Sequence, residues 1–190
     1  MRPVALSDEI AVGEVPTPDQ IVILAKAGFR SVLNAQPDGE VARFISAADA
    51  QKLAQAAGLE YAHVPIENRN PADKAIRDFS DAMAWLPRPI YACCYSGARA
   101  AAGWALALAP GKQPADLAAA LEDAGYDATS LLPALERRHA GLTISGPAAA
   151  ESAAAAVVSQ QAITSEAALA SKPIIILPRA ATDGGFAVAG

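Results

Sequence analysis

The 190 residues predict an α/β protein: a three-layer sandwich in which a mostly parallel sheet of four to five strands is flanked by helices, followed by an alanine-rich C-terminal extension. Three observations carry that expectation. Short apolar runs alternate with stretches of helical length, a β-α-β-α-β-α-β rhythm that parallel strands with helical crossovers produce. Glycine follows the helical stretches and proline opens or brackets them, so the punctuation agrees with the rhythm. Apolar residues make up 53% of the chain but only 5% are aromatic, which predicts a core of small, closely spaced helices rather than aromatic clusters.

Taken in order, Ile10–Gly13 is a strand candidate. Thr17 caps the first helix with Pro18 at its first position, Ile21, Leu24 and Ala25 give its apolar face, and Gly28 ends it. Phe29–Ala35 is the second strand and Pro37-Asp38-Gly39 a turn. Ser46 caps a helix to Ala57, stopped by Gly58; Leu59–Pro65 is the third strand. Asn68-Arg69-Asn70-Pro71 is a loop and 71–86 a helix. Pro87 and Pro89 bracket the turn into a fourth strand, and Ala100–Ala109, Gln113–Ala124 and Thr129–His139 are helical. Residues 1–140 are thus expected to form one domain. Residues 141–190 hold 15 alanines and five charged residues and form an extension, with Gly141–Gly146 as linker, a helix candidate at Glu151–Ser171 and a proline-fenced strand at Lys172–Pro178.

Charge and composition narrow the function. The net charge is −5 and no basic stripe exists, so nucleic acid is not an expected partner. The longest strongly apolar helix candidate is too short to span a bilayer, and the N-terminus lacks a signal-type apolar run, so no membrane association and a cytoplasmic location are expected. The two cysteines, Cys93 and Cys94, are adjacent, which rules out a disulfide framework and leaves no metal-ligand spacing. No metal and no cofactor are implied, and nothing in the chain predicts an oligomeric state.

Residues 91–100, Tyr-Ala-Cys-Cys-Tyr-Ser-Gly-Ala-Arg-Ala, concentrate the chemistry. A strand delivers a cysteine into a short loop with Gly97, the loop closes on Arg99, and a helix follows. Backbone N–H groups of such a loop, with the helix N-terminus behind them, can cradle an anion and lower the pKa of a thiol. Two registers overlap. Counted from Cys94 the pattern is Cys-x4-Arg, a loop of the rhodanese kind; counted from Cys93 it is Cys-x5-Arg, the spacing of protein tyrosine phosphatases and a wider cradle. The anion loop comprises Tyr95, Ser96, Gly97 and Ala98. Cys94 and Arg99 are the expected catalytic pair, and Cys93 is a buried strand residue or else a second thiol.

The stretch from about Ile10 to Ala109 resembles the phosphatase-like domain found beside beta-lactamase-like hydrolases (the DUF442 or Blh-type family, also labelled sulfur transferase). The resemblance is carried by Ala27-Gly28-Phe29-Arg30-Ser31-Val32 and Asn34-Ala35-Gln36-Pro37-Asp38-Gly39-Glu40, then Ala57-Gly58-Leu59-Glu60-Tyr61 with His63-Val64-Pro65, and Cys94-Tyr95-Ser96-Gly97-Ala98-Arg99. It implies a tyrosine-phosphatase-like fold and aligns Cys94 with the family cysteine. The chain departs from the family pattern at Gln36 and Tyr95, where arginine is common, and at Ala98 and Ala100, where hydroxyls are. A hydroxyl after the arginine normally donates to the thiolate, a contact worth roughly 1.5–3 kcal/mol.

The expected function is that of a cysteine-dependent phosphatase-like hydrolase acting on a small anionic substrate or a phosphoprotein. Cys94 attacks as thiolate, Arg99 clamps oxyanions bidentately, and loop N–H groups stabilise the developing charge. Asp73, placed on the loop before the third helix, is the first candidate for the leaving-group acid, with Asp38 and Glu67 behind it. Two alternatives stay open: a rhodanese-like sulfurtransferase carrying a persulfide on Cys94, and a catalytically weakened anion-binding module. His63 reads as a structural histidine, His139 as a charge at a helix C-terminus, and Trp85 and Trp104 as core.

Overall fold

The computed structural model describes residues 2–67 and 71–144. Its strands are β1 (Val4–Ser7), β2 (Ile10–Glu14), β3 (Ser31–Asn34), β4 (Glu60–His63) and β5 (Ile90–Cys94). Its helices are α1 (Pro18–Lys26), α2 (Ala47–Ala56), α3 (Asp73–Trp85), α4 (Ala98–Leu108), α5 (Pro114–Asp123) and α6 (Leu132–His139). The sheet order is β1-β2-β5-β3-β4. β2, β5, β3 and β4 are parallel, as the alternating rhythm predicts, and β1 adds an antiparallel edge through Val4↔Val12 and Ala5↔Ala11. β1 has no counterpart in the sequence expectation because Leu6 is its one buried side chain, so its four residues carry no readable alternation.

Local chemistry explains the helix ends. The Gln20 side chain accepts from the Thr17 N–H at 2.9 Å, and the Ser46 hydroxyl accepts from the Asp49 N–H at 3.1 Å. Successive residues of each strand face opposite layers. On one side, Val12, Leu33, Ala92 and Cys94 pack with α3–α6; on the other, Ala11, Val32, Tyr91 and Cys93 pack with α1 and α2. The adjacent cysteines therefore belong to different cores.

α4 is apolar nearly all round and buried along most of its length, which places it in the interior rather than on a surface. Its small residues let α3 approach closely: a Cβ on Gly103 would come within 2.8 Å of Ile66 Cδ1 and 3.3 Å of Phe79 Cδ2. Trp104 lies in this core as expected. Trp85 does not; it ends α3 with 57% of its surface exposed, because the inward face of that helix is already filled by Ile76, Phe79, Ala82 and Met83. Among the described residues no helix is long and apolar enough to cross a membrane. The expected features at Glu151–Ser171 and Lys172–Pro178, and most of the Asn68–Pro71 loop, lie outside the described residues.

Candidate anion site at the end of the central strand

In parallel sheets ligands gather at the carboxyl ends of the strands, where the order of connection reverses. Here β5 is the central strand and Cys94 its last residue. The ladder continues past the strand ends: Val15 N–H donates to the Cys94 carbonyl at 2.9 Å and Ala35 N–H to the Cys93 carbonyl at 2.7 Å. Those bonds hold the cysteines rigidly beneath the loop Tyr95-Ser96-Gly97. Gly97, with φ of +87°, turns the chain into α4. An ordinary residue is disfavoured there twice over, since a Cβ would also stand 2.5 Å from the Tyr126 hydroxyl and 3.1 Å from Gly13 Cα. Among the described residues, nothing accepts from the backbone N–H groups of residues 95–100. Loop and helix start thus present consecutive untaken donors directly after Cys94.

Arg99, only 3% exposed, leaves α4 toward the loops after β3 and β4. Nη1 donates to Glu40 Oε2 at 2.8 Å and to the Ile66 carbonyl at 2.9 Å. Nη2 donates to Glu40 Oε1 at 3.1 Å and to Gln36 Oε1 at 2.9 Å. Of its five N–H groups, only Nε–H has no described acceptor. The bidentate clamp expected from the sequence is therefore not what the side chain presents. Gln36 and Glu40 occupy the Nη2 donors that a second anion oxygen would need.

The same network reaches the other cysteine. Gln36 Nε2 donates to Glu40 at 2.9 Å, and Gln36 N–H donates to Asn34 Oδ1 at 2.9 Å. The Cys93 thiol points to that Oδ1 at 3.7 Å, while Asn34 Nδ2 donates to the Tyr61 hydroxyl at 2.9 Å. His63 Nε2 donates to the Gln36 carbonyl at 2.8 Å, the structural role its position suggested. Burial first, and the neighbouring Cys94 second, push the Cys93 thiol well above its usual pKa, so Cys93 stays a neutral donor.

The rim is aromatic. Phe44 and Tyr95 lie 6.1 Å apart, centroid to centroid, with the Arg43 guanidinium 4.8 Å and 5.0 Å from the two ring centres. Tyr126 presses on Gly97 from another side. Its phenol is pushed up in pKa, first by burial and then by the neighbouring Cys94 and Glu14. Glu14 pairs in register with Cys94 on the neighbouring strand.

The candidate acids separate. Asp73 is the first residue of α3, not part of a preceding loop; its Oδ1 accepts from Arg138 at 3.3 Å and from the Ile144 N–H at 2.9 Å. Arg138 also donates to the Leu106 carbonyl, seven residues along α4 from Arg99 and so roughly 10 Å down its axis. Asp73 thereby joins α3 to α6 and the segment after it. Asp38 Oδ1 accepts from the Ala47 N–H at 2.8 Å, tying down the start of α2. Glu67 is exposed and directly follows Ile66, whose carbonyl holds Arg99. Glu40 had a legible signal in the Gln-Pro-Asp-Gly-Glu run, but Tyr126 and Arg43 had none, since only the folded chain brings them to the loop.

A family model for the phosphatase-like domain of beta-lactamase hydrolase-like proteins matches residues 4–111. Beta-lactamase hydrolase-like proteins of Xylella fastidiosa (strain 9a5c) and Agrobacterium fabrum (strain C58) are 31% and 28% identical over 73% and 75% of this chain. The match covers 32% and 33% of their own lengths, so the chain spans about a third of these curated relatives. Among solved structures, a candidate phosphatase from Neisseria meningitidis has a TM-score of 0.63 at 18% identity, covering 70% of this chain and 96% of the other. A DUF442 candidate phosphatase from Shewanella putrefaciens CN-32 has 0.60 at 22%, covering 74% and 93%. Kinase associated phosphatase has 0.59 at 17%, covering 70% and 86%. At these identities the structures speak for the fold, which is tyrosine-phosphatase-like.

Proposed function

The chain belongs to the phosphatase-like domain family of beta-lactamase hydrolase-like proteins, and from that premise we propose that it is a cysteine-dependent phosphomonoesterase with Cys94 as nucleophile. The observation that carries the proposal is the run of untaken N–H groups over residues 95–100, next to Cys94 and closed by the braced Arg99. The Cys94 thiolate attacks phosphorus, the ester P–O bond breaks, and the leaving oxygen takes a proton from an acid. Water then cleaves the S–P bond, releasing phosphate and restoring the thiol. The N–H groups of Tyr95, Ser96, Gly97 and Ala98 and the Nε–H of Arg99 hold the phosphoryl oxygens throughout. Cys94 rather than Cys93 fits this role, because the Cys93 thiol is engaged by Asn34 and held neutral. Glu67, exposed and next to Ile66, whose carbonyl holds Arg99, fits the acid better than Asp73 or Asp38, each of which has its Oδ1 taken by a structural contact. The substrate class is a small anionic phosphoester or a phosphoprotein.

One observation favours a second reading. Four of the five Arg99 donors are already engaged, and the Cys94 register makes a short loop, a combination suited to a persulfide on Cys94 in a sulfurtransferase. Side-by-side assays separate the two. Hydrolysis of phenyl phosphate that vanishes in Cys94→Ser and persists in Cys93→Ser supports the phosphatase. Thiocyanate formation from thiosulfate and cyanide without phosphatase activity supports the transferase. Loss in Cys93→Ser alone overturns the register, and phosphate binding with neither reaction leaves an anion-binding module.

A further inference from the structure

Resting on that anion site, we propose that Arg43 is a second cationic contact at its mouth, selecting phosphomonoesters that carry another negative group beside the scissile phosphate. Arg43 lies in the loop between β3 and α2, and that loop is not loosely attached. It is tied by Gln36 N–H to Asn34 Oδ1, by Asp38 Oδ1 to the Ala47 N–H, by Phe44 N–H to the Val41 carbonyl, and by Glu40 to Arg99. The loop therefore carries Arg43 to a set place. Its guanidinium lies over the rings of Phe44 and of Tyr95, the residue immediately after Cys94. A positive charge is thus seated on the first residue of the N–H cradle.

Contact with the two ring faces gives the guanidinium no acceptor oxygen. Its five N–H donors form the fork that suits a carboxylate or phosphate. Among the described residues, no carboxylate or carbonyl takes them. Arg99 offers the opposite case: its charge is matched by Glu40 within the site, and four of its donors are engaged. The reacting group meets neutral N–H donors and a compensated arginine, so among the described residues Arg43 supplies an uncompensated cation beside it. In a chain of net charge −5, a cation with open donors at the entrance draws an anion in and orients it. The inner cradle would hold the phosphate that reacts, while Arg43 grips the second group.

The test compares two phosphonates that differ in one charge, 3-carboxyphenylphosphonate and its uncharged amide, 3-carbamoylphenylphosphonate, by calorimetry on the full chain. The expected preference for the carboxylate is about fivefold to tenfold at low salt, the size of one charge-assisted contact at an open position. It should fall below about twofold in Arg43→Gln and in wild type at high salt, and Arg43→Lys should retain part of it. The high-salt arm serves if Arg43→Gln does not fold. Neither phosphonate is hydrolysed, so binding reads Arg43 independently of turnover. Phenyl phosphate hydrolysis reads the phosphatase proposal separately. Equal wild-type affinities, a preference that survives Arg43→Gln, or no binding of either compound would overturn the inference.

Discussion

Arg99 and Glu40 meet end-on, Nη1 to Oε2 at 2.8 Å and Nη2 to Oε1 at 3.1 Å, in a pair that is 3% exposed at the arginine and 30% at the carboxylate. Glu40 thereby pairs and aims a buried guanidinium, and Gln36 and the Ile66 carbonyl complete the shell. Removing one partner of a buried pair is far costlier than the pair is worth, because the survivor is left uncompensated.

Glu40→Gln should therefore lower unfolding free energy by about 2–3 kcal/mol, less than for a fully buried pair because water reaches the carboxylate. Phosphate affinity should fall as Arg99 loses its aim. Urea unfolding and phosphate titration read the two effects. A variant as stable as wild type and binding phosphate equally well would show that Arg99 is held by Gln36 and Ile66 alone.

Gly97→Ala combines a left-handed backbone position, φ +87°, with a Cβ that would meet the Tyr126 hydroxyl at 2.5 Å and Gly13 Cα at 3.1 Å. The expected loss is about 1–3 kcal/mol. Tyr126→Phe removes the clashing hydroxyl and not the φ strain, so the double variant should lose less than the sum of the singles. Strict additivity in a thermal-unfolding cycle would mean that Tyr126 does not constrain the loop.

How far the sequence disclosed this site depended on whether the relevant contact is local. The strand–Cys–Gly–Arg–helix order is written in consecutive residues, so the cradle was legible, as were the parallel strands with their periodic crossovers. The role of Glu40 was not, because its 59-residue separation from Arg99 is closed only by the fold. Nor was it legible that the Arg99 donors expected to clamp oxyanions are held by Glu40, Gln36 and Ile66: sequence shows a donor, not what already engages it. Trp85 misled because size and helical spacing do not say which face is inward. β1 escaped because an edge strand with one buried residue leaves no pattern.

Asp73 shows what a distant contact does to a reasonable assignment. Its bonds to Arg138 and Ile144 make it a brace between α3, α6 and the following segment. Asp73→Asn should cost about 1–3 kcal/mol, the range for a partly buried group losing a charge-assisted bond. In Asp73→Asn the alkaline limb of the kcat profile, where a leaving-group acid loses its proton, should keep its position, whereas Glu67→Gln should flatten that limb. A profile altered by Asp73→Asn and not by Glu67→Gln would return the acid role to Asp73.

The final prediction concerns alkaline pH. Burial raises the pKa of the Cys93 thiol in the folded chain above its unfolded value of about 8.5. The folded state therefore binds the more protons once the unfolded thiol begins to ionise, and ∂ΔG/∂pH turns negative. The contribution is complete below about pH 8.5 and is lost as pH rises through the folded value, at up to about 1.4 kcal/mol per pH unit for one group. Above about pH 10 the decline should steepen, because burial also raises the phenols of Tyr61, Tyr91 and Tyr126. Cys93→Ala would cost some packing at every pH but should flatten the fall between pH 8.5 and 10. Urea unfolding of both proteins at pH 7.0, 8.5 and 9.5 measures that difference in slope. Parallel lines would mean that the Cys93 proton is not what the folded core retains.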